Sequence, residues 1–389
     1  CLAALLGIIS SCSDDDNTPD DPTIVAVYRG VEGYGTVKAD EVKSADFAGY
    51  IFETSSGIQN FAIMRTSAYA IQNTLQEGRR YRLTVDGQRI VSAECIDRLD
   101  VDFKPVVACE AGKRTLKNLM ATALQPVGTT LYIYGGGWDW QDDLSAHQTT
   151  TIGVADEWVY FFNTKDANYN YKFVAGTGNQ ETDPPHSYYP FGSWNQYYYA
   201  GLDCSGYLGW TIYNVANTTS TTDRSKGYVG ASTSFAKRLC ETYGYGTFSQ
   251  EAIQPANPLR CGDIVSIKGH VWVCVGTCGD GSAVILHCTP SESRQGEQGG
   301  GVQLSSINPS ATAATSEARQ LAEHYMTKYY SEWSRRYPVV EKPYGQYTDI
   351  TSDNRTGRFT WLTDGTFLTD PDGYATMSAA EILADIFGE

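Results

Sequence analysis

The sequence has little positive charge, few histidines and no apolar run long enough to cross a membrane. Lys and Arg number 29 against 45 Asp and Glu, which gives a formal net charge of −16 and a pI of about 4.7. This deficit argues against a nucleic-acid-binding protein and against electrostatic docking on anionic lipid. No internal apolar stretch reaches the roughly 18 residues of a membrane-spanning helix. The five histidines are few enough to consider one by one.

The composition is otherwise that of a globular protein of 389 residues, with 41% hydrophobic and 19% charged residues. A chain of this length is too long for one ordinary domain, so two or three domains are expected. Ten cysteines permit disulfides without demanding a disulfide scaffold. Cys95 and Cys109 are a possible pair, although the sequence alone does not give the connectivity.

The first 23 residues have the order of segments expected of an exported lipoprotein. Leu2–Ile9 is an apolar run of the kind found in signal-peptide cores, and the basic segment that would precede it is absent, so we expect the chain to begin inside a signal peptide. Ile9-Ser-Ser-Cys12 resembles a bacterial lipobox, in which Cys12 would be lipidated. The acidic tether at 13–22 resembles the surface-export signals of Bacteroidetes lipoproteins. These features predict an outer-membrane lipoprotein, periplasmic or surface-exposed, that meets the membrane only through its lipid. An incidental cysteine in a fraying terminus is the alternative.

One later segment, 201–208, places a cysteine at the predicted start of a helix. Gly201 permits a tight turn, and the apolar positions between Tyr207 and Tyr213 predict the buried side of a short helix. At the first turn, free backbone N–H groups and the helix dipole are expected to stabilise a Cys204 thiolate. Cys204 is therefore a candidate nucleophile.

Two histidines lie at useful places on strands predicted further along the chain. His270 opens one strand, His287 closes the next, and Gly279-Asp-Gly281 between them predicts a hairpin. In an antiparallel pair the two imidazoles would lie roughly opposite each other. One of the two could then accept the Cys204 proton, and the other could orient that imidazole.

These motifs resemble those of the NlpC/P60 family of cysteine peptidases. Cys261 stands where the family has Pro, and Tyr134 stands where it has Trp. The matches cover about residues 130 to 290, roughly half of the chain. In the family's order, they are Tyr132-Ile-Tyr-Gly-Gly136, Asp203-Cys-Ser-Gly206, Cys261-Gly-Asp-Ile-Val265, Gly269-His-Val271 and His287.

The resemblance implies an α+β, papain-like catalytic domain that hydrolyses peptidoglycan stem peptides at the γ-D-glutamyl–diamino-acid bond. Cys204 would be the nucleophile, His270 the base and His287 the orienting residue. Tyr132 and Asp203 would help to bind the substrate, although Asp203 could simply be the helix N-cap. The implied partners are stem peptides or muropeptides, and the chemistry needs no metal or organic cofactor. Two alternatives remain open: an N-acetylmuramoyl-L-alanine amidase of related fold, and a non-catalytic surface-binding lipoprotein.

The predicted organisation has four parts. Residues 1–23 form the signal-peptide remnant, lipobox and tether. Short strand-like runs punctuated by turn residues predict a small β-barrel or sandwich over 24–110, which either binds the cell wall or packs beside the cleft. The catalytic domain spans 111–336, and 337–389 is a C-terminal extension packing on it.

An aromatic insert at 139–200 separates the Gly-Gly turn from the nucleophile, as in a large-insert variety of the family. It could roof the cleft and select substrate, or serve as a structural flap. His147 and His186 lie in this insert, and either could replace His270 as the base. Neither follows a glycine at a strand start, so we interpret both as surface-loop residues.

The last third of the sequence gives three local expectations. Gly299–Gly301 indicates a break between elements. The four-residue spacing of apolar side chains predicts one amphipathic helix over 316–336. The sequence Ser378-Ala-Ala-Glu381 is a capping box that predicts a final helix over 379–387.

Overall fold

The fold comes from a computed structural model in which part of the chain is described. The sequence-based predictions for Cys12, His147 and His186 lie outside the described residues. Within those residues, no helix combines the length and apolar character needed to cross a membrane. The described residues are 23–31, 47–63, 78–87, 89–96, 103–132, 152–164, 173–174, 179–180, 201–216, 228, 230–294, 298–310 and 315–389.

The N-terminal strands curl into a closed barrel, so of the two predicted β architectures the barrel forms. The strand order is β1-β2-β3-β5-β4, and β4 returns to pair with β1. Phe52 is fully buried inside, with its ring centroid 5.1 Å from that of Tyr28 and 5.7 Å from that of Phe61. The strands are β1 (Thr23–Val31), β2 (Phe47–Thr54), β3 (Gly57–Ile63), β4 (Arg80–Asp86) and β5 (Arg89–Cys95).

A seven-stranded sheet forms the centre of the remaining structure, in the order β13-β12-β11-β10-β9-β14-β8. Its neighbouring strands are antiparallel except for the parallel pair β12–β13. The protein is therefore a mixed α+β protein, as the sequence predicts. The strands are β8 (Gly246–Ser249), β9 (Ile264–Ile267), β10 (His270–Thr277), β11 (Ala283–Glu292), β12 (Gln298–Ile307), β13 (Glu341–Lys342) and β14 (Gly357–Trp361), and a separate pair is formed by β6 (Phe173–Val174) and β7 (Asn179–Gln180).

The longer helices cover one face of this sheet, and a four-residue helix that contains Tyr347 lies on the other. Alternate strand residues point to opposite faces, so one strand contributes to both clusters. On β10, Val271 and Val273 join the cluster beneath the helices, whereas Trp272 joins a smaller cluster on the other face with Tyr347. The helices are α1 (Leu116–Leu124), α2 (Asp156–Thr164), α3 (Cys204–Ala216), α4 (Phe235–Glu241), α5 (Glu317–Tyr329), α6 (Ser331–Arg336), α7 (Tyr344–Tyr347) and α8 (Ala379–Phe387).

Helix α3 is buried on all sides, not on one side as its sequence pattern suggests. It packs on β10 and against α1, and the Tyr207 hydroxyl donates to the Ala123 carbonyl at 2.8 Å. Trp158 of α2 covers Trp210 with a ring-centroid distance of 5.7 Å. A helix enclosed in this way holds its first residue in a fixed position.

The predicted break at Gly299–Gly301 is wrong, because these glycines belong to β12. The whole length of β12 pairs with β11, from Glu292 opposite Gln298 to Ala283 opposite Ile307. The glycines are needed for close approach, since a Cβ on Gly301 would overlap the carbonyl oxygen of Thr130. Glycine here marks tight packing between two segments, not the end of a strand.

Other local expectations have mixed outcomes. The single helix predicted over 316–336 is wrong, because Tyr330 leaves helical geometry (φ −130°, ψ 51°) and separates α5 from α6. The capping box is confirmed: the Ser378 side chain accepts from the Glu381 N–H, and the Glu381 side chain accepts from the Ser378 N–H. The final helix also has the predicted bounds, Ala379–Phe387, so the spacing of apolar residues misled only over 316–336.

We expect Gly301→Ala to lower the free energy of unfolding by about 1–3 kcal/mol, because the new methyl group must displace the backbone at Thr130. Urea denaturation followed by tryptophan fluorescence measures the change. Gly345→Ala is the matched control, since a Cβ there meets no atom within 4 Å, and its effect should stay within about 0.5 kcal/mol. Equal destabilisation by the two variants would contradict the packing explanation.

Candidate active site

Two hydrogen bonds of the Leu202 backbone hold the start of α3 in place. The Leu202 N–H donates to the Leu131 carbonyl at 3.1 Å, and the Cys288 thiol donates to the Leu202 carbonyl at 3.0 Å. Asp203 then caps the helix, because its Oδ1 accepts the Gly206 N–H at 2.7 Å. These contacts place Cys204 at the first helical position.

The Cys204 thiol is free and 6% exposed. Burial and, after it, the neighbouring Asp203 raise the pKa of this thiol to about 12, although the N–H groups of Val271 and Ser205 and the Ser232 hydroxyl act to lower it. The stabilisation expected from the helix start is therefore outweighed by desolvation. The resting site holds a thiol, and the thiolate predicted from sequence needs a base to form.

Two imidazoles and a hydroxyl form a hydrogen-bonded chain across three neighbouring strands. The predicted antiparallel pairing of β10 and β11 is confirmed, with Val273 opposite Leu286. His270 Nε2 lies 3.1 Å from His287 Nδ1, and His287 Nε2 lies 2.9 Å from the Ser305 hydroxyl on β12. The sequence predicts that strand β11 ends at His287, but the strand continues to Glu292.

The chain of contacts has a consequence for the protons on the rings. When His287 Nε2–H donates to Ser305, His287 Nδ1 is left to accept the proton of His270 Nε2–H. His270 Nδ1 then carries a free lone pair. In this tautomer His270 is able to accept a proton at Nδ1 while His287 holds the ring in place. The reverse order of donors, with the Ser305 hydroxyl donating to His287 Nε2, fits the same distances.

Burial favours the neutral form of both rings. Burial, with a further contribution from the Lys342 charge, lowers the pKa of His270 to about 3. The same causes, in the same order, lower the pKa of His287 well below its ordinary value. A neutral imidazole is the form that accepts a proton from a thiol.

The structure brings Cys204 to the strand that carries His270 without joining their side chains. The Cys204 sulfur interacts with the N–H of Val271, the residue directly after His270. Among the described residues, no hydrogen bond links the sulfur to the His270 ring. Such bonds are often long or absent before substrate binds.

Tyr347 and Ser305 are site residues that the sequence analysis missed. The Tyr347 ring is 7% exposed and meets both imidazoles edge-on, with centroid distances of 5.5 Å to His270 and 5.8 Å to His287. The alternation of side chains along β12 could have indicated Ser305. This residue lies two positions after Gln303, which pairs with His287 in the sheet. No local pattern marked Tyr347.

Tyr132 and Asp203 lie together beside the nucleophile. Tyr132 is 8% exposed and forms a parallel bridge with Leu202, the residue before Asp203, while its N–H donates to the Gly300 carbonyl at 2.8 Å. Burial raises the pKa of Asp203. The geometry assigns Asp203 the N-cap role, and a substrate-binding role for either residue stays a prediction.

Asp263, from the Cys-Gly-Asp motif, supports the sheet and is not among the groups that act on the Cys204 thiol. It is 1% exposed and accepts from the Arg260 N–H at 2.9 Å and from the Thr360 hydroxyl at 2.6 Å. Burial raises its pKa to about 6 even though Arg358 lies 3.8 Å away. Its bonds tie the start of β9 to β14.

The remaining cysteines do not form bridges within the described part of the chain. Cys109 is free and exposed, so the suggested Cys95–Cys109 pair is wrong. Cys240, Cys261, Cys274, Cys278 and Cys288 are also free. In the described ranges, no group of three or more His, Cys, Asp or Glu side chains could hold a metal ion.

Comparisons with protein-family models, with curated proteins and with solved structures found no match. What the site can do is therefore inferred from its own residues: a buried thiol at a helix start, a neutral imidazole on the adjacent strand, and a second imidazole bonded to the first.

We expect Ser305→Ala to lower the free energy of unfolding by about 1–3 kcal/mol, because it leaves a buried ring nitrogen of His287 without its partner. Ser306→Ala is the matched control. Ser306 is equally buried, but its hydroxyl has no hydrogen-bond partner in the described structure, so its loss should be neutral or stabilising. Urea denaturation of both variants tests this contrast, and similar losses would argue against the Ser305–His287 bond.

Proposed function

We propose that this protein is a cysteine peptidase of papain-like fold that hydrolyses peptidoglycan stem peptides. The observation that carries the proposal is the contact of the Cys204 sulfur with the Val271 N–H, one residue from an imidazole held by a second imidazole. The resemblance of the surrounding motifs to those of the NlpC/P60 family supports the same chemistry and supplies the substrate class.

In the first step, the Cys204 thiol gives its proton to His270 Nδ1 as the sulfur attacks the peptide carbonyl carbon. Backbone donors, including the Cys204 N–H at the start of α3, would hold the oxyanion of the tetrahedral intermediate. His270 becomes an imidazolium, whose Nε2–H is bonded to His287. His270 then protonates the leaving amine as the C–N bond breaks, which leaves a thioester on Cys204.

In the second step, water replaces the amine. His270 takes a proton from the water as the oxygen attacks the thioester carbonyl, and it returns that proton to the sulfur when the C–S bond breaks. The products are the original thiol and a carboxylic acid, which releases its proton to solvent and becomes a carboxylate. His287 and Ser305 act through His270, so they are positioning residues.

Within peptidoglycan, the γ-D-glutamyl–diamino-acid bond is the proposed target, and muropeptides are the proposed partners. An N-acetylmuramoyl-L-alanine amidase would use the same thiol and base on a different amide bond, so it remains the second candidate. We further propose that the protein is exported and anchored through Cys12 as an outer-membrane lipoprotein. This proposal rests on the order of three segments: the apolar run at 2–9, the lipobox-like sequence that ends at Cys12, and the acidic tether at 13–22.

Incubation with defined muropeptides, read by mass spectrometry, tests the function. The peptidase should release the part of the stem peptide that begins with the diamino acid. Release of the whole stem peptide would indicate the amidase instead. Binding to sacculi without any product would indicate a non-catalytic binding protein and overturn the proposal.

Variants of the site test the assigned roles. Cys204→Ala should abolish turnover, and His270→Ala should lower kcat/KM by about 10³-fold, because each removes a group that bonds to the reacting atoms. His287→Ala should lower kcat/KM less, by about 10- to 100-fold, because His287 acts only by orienting His270. Cys240→Ala is the control. It removes a half-buried thiol on α4 and should keep full activity. If His287→Ala proved more harmful than His270→Ala, the two roles would have to be exchanged.

A further inference from the structure

A lysine from the C-terminal part of the chain lies on the face of the sheet that carries the imidazoles. Lys342 is on β13, directly opposite Ile307 of β12 in the parallel pair. Ile307 belongs to the cluster that contains Tyr347, on the sheet face opposite the helices. Ser305 is two residues before Ile307, so its side chain points to that same face. Lys342 therefore extends the row formed by His270, His287 and Ser305.

The Tyr347 ring lies beside both this ammonium and the two imidazoles. Lys342 Nζ is 6.0 Å from the centroid of the Tyr347 ring, and that ring contacts both His270 and His287. The charge of Lys342 reaches the imidazoles, since it contributes to lowering the pKa of each. The ammonium is thus part of the electrostatic environment of the candidate active site.

The described part of the chain provides no anion to balance this charge. Within the described residues, no carboxylate forms an ion pair with Lys342. The adjacent Glu341 accepts a hydrogen bond from Ser316 at the start of α5, on the opposite side of the strand. Burial alone lowers the pKa of Lys342 to about 8. A half-buried ammonium without a counter-charge is costly for the free protein, and a bound anion would remove that cost.

We propose that Lys342 binds a carboxylate of the peptide substrate and so selects peptides that carry a free carboxylate near the scissile amide bond. This inference rests on the proposed peptidase function. In a γ-D-glutamyl–diamino-acid substrate the carboxylate can be the α-carboxylate of the glutamate or that of the diamino acid. Both present the same chemistry to the ammonium, and the test separates them.

The test uses a stem tripeptide and two derivatives, each with one of these carboxylates converted to a carboxamide. The unmodified protein should have a kcat/KM at least about tenfold higher for the acid than for one of the two amides, because a charge-assisted bond is lost only there. The derivative that loses activity identifies the carboxylate that is bound.

Three variants test whether the charge of Lys342 causes this preference for the acid. Lys342→Met keeps the chain length and removes the charge, so the acid-to-amide ratio should fall to about one. Lys342→Arg should restore much of the ratio. Lys328→Met, at an exposed lysine that pairs with Glu389, should leave the ratio unchanged. A purely electrostatic effect on the imidazoles would change the rates for acid and amide alike and would not alter the ratio.

Binding to Cys204→Ala, measured by isothermal titration calorimetry, separates the two proposals. If that variant binds the acid more tightly than the amide, and Lys342→Met in the same background does not, the carboxylate site stands even where no peptide is cleaved. Equal affinity of Cys204→Ala for acid and amide peptides would overturn the inference whether or not turnover is seen.

Discussion

Hydrogen bonding across strand β11 is the constraint on which the candidate site depends. His287 is completely buried in the middle of the sheet, and a buried imidazole needs partners for both ring nitrogens. One partner comes from β10, as His270, and the other from β12, as Ser305. The need to satisfy a buried polar ring and the need to orient a base are therefore met by one arrangement. A change in register of either neighbouring strand would break both.

Burial gives this site an uncharged resting state. The same low-polarity surroundings that raise the pKa of the Cys204 thiol also lower the pKa of His270, so burial favours the uncharged form of both groups. In the proposed mechanism the proton therefore moves during the reaction itself. A thiol protected in this way is less exposed to oxidation than a permanent thiolate, since thiolate character governs that chemistry.

Sequence patterns predicted the parts of the site that are local. Alternation and the Gly279–Gly281 turn located the hairpin of β10 and β11, and the apolar run after Gly201 located α3. Tyr347 and Lys342 could not be found in this way, because only tertiary packing brings them to the imidazoles. The ionisation of Cys204 was mispredicted for a related reason: the helix start is a local property, whereas desolvation depends on everything packed around it.

The position of β14 determines when the sheet can be completed during folding. It lies between β9 and β8, so β8 has no neighbour in the sheet until β14 arrives. Helix α3 and the β10–β11 hairpin come earlier in the chain than β13, Tyr347 and β14, so they depend on partners that are distant in sequence. Such long-range pairing is slow to form. Cys204 and His270 would thus acquire their final surroundings late in folding, once the last strand has paired.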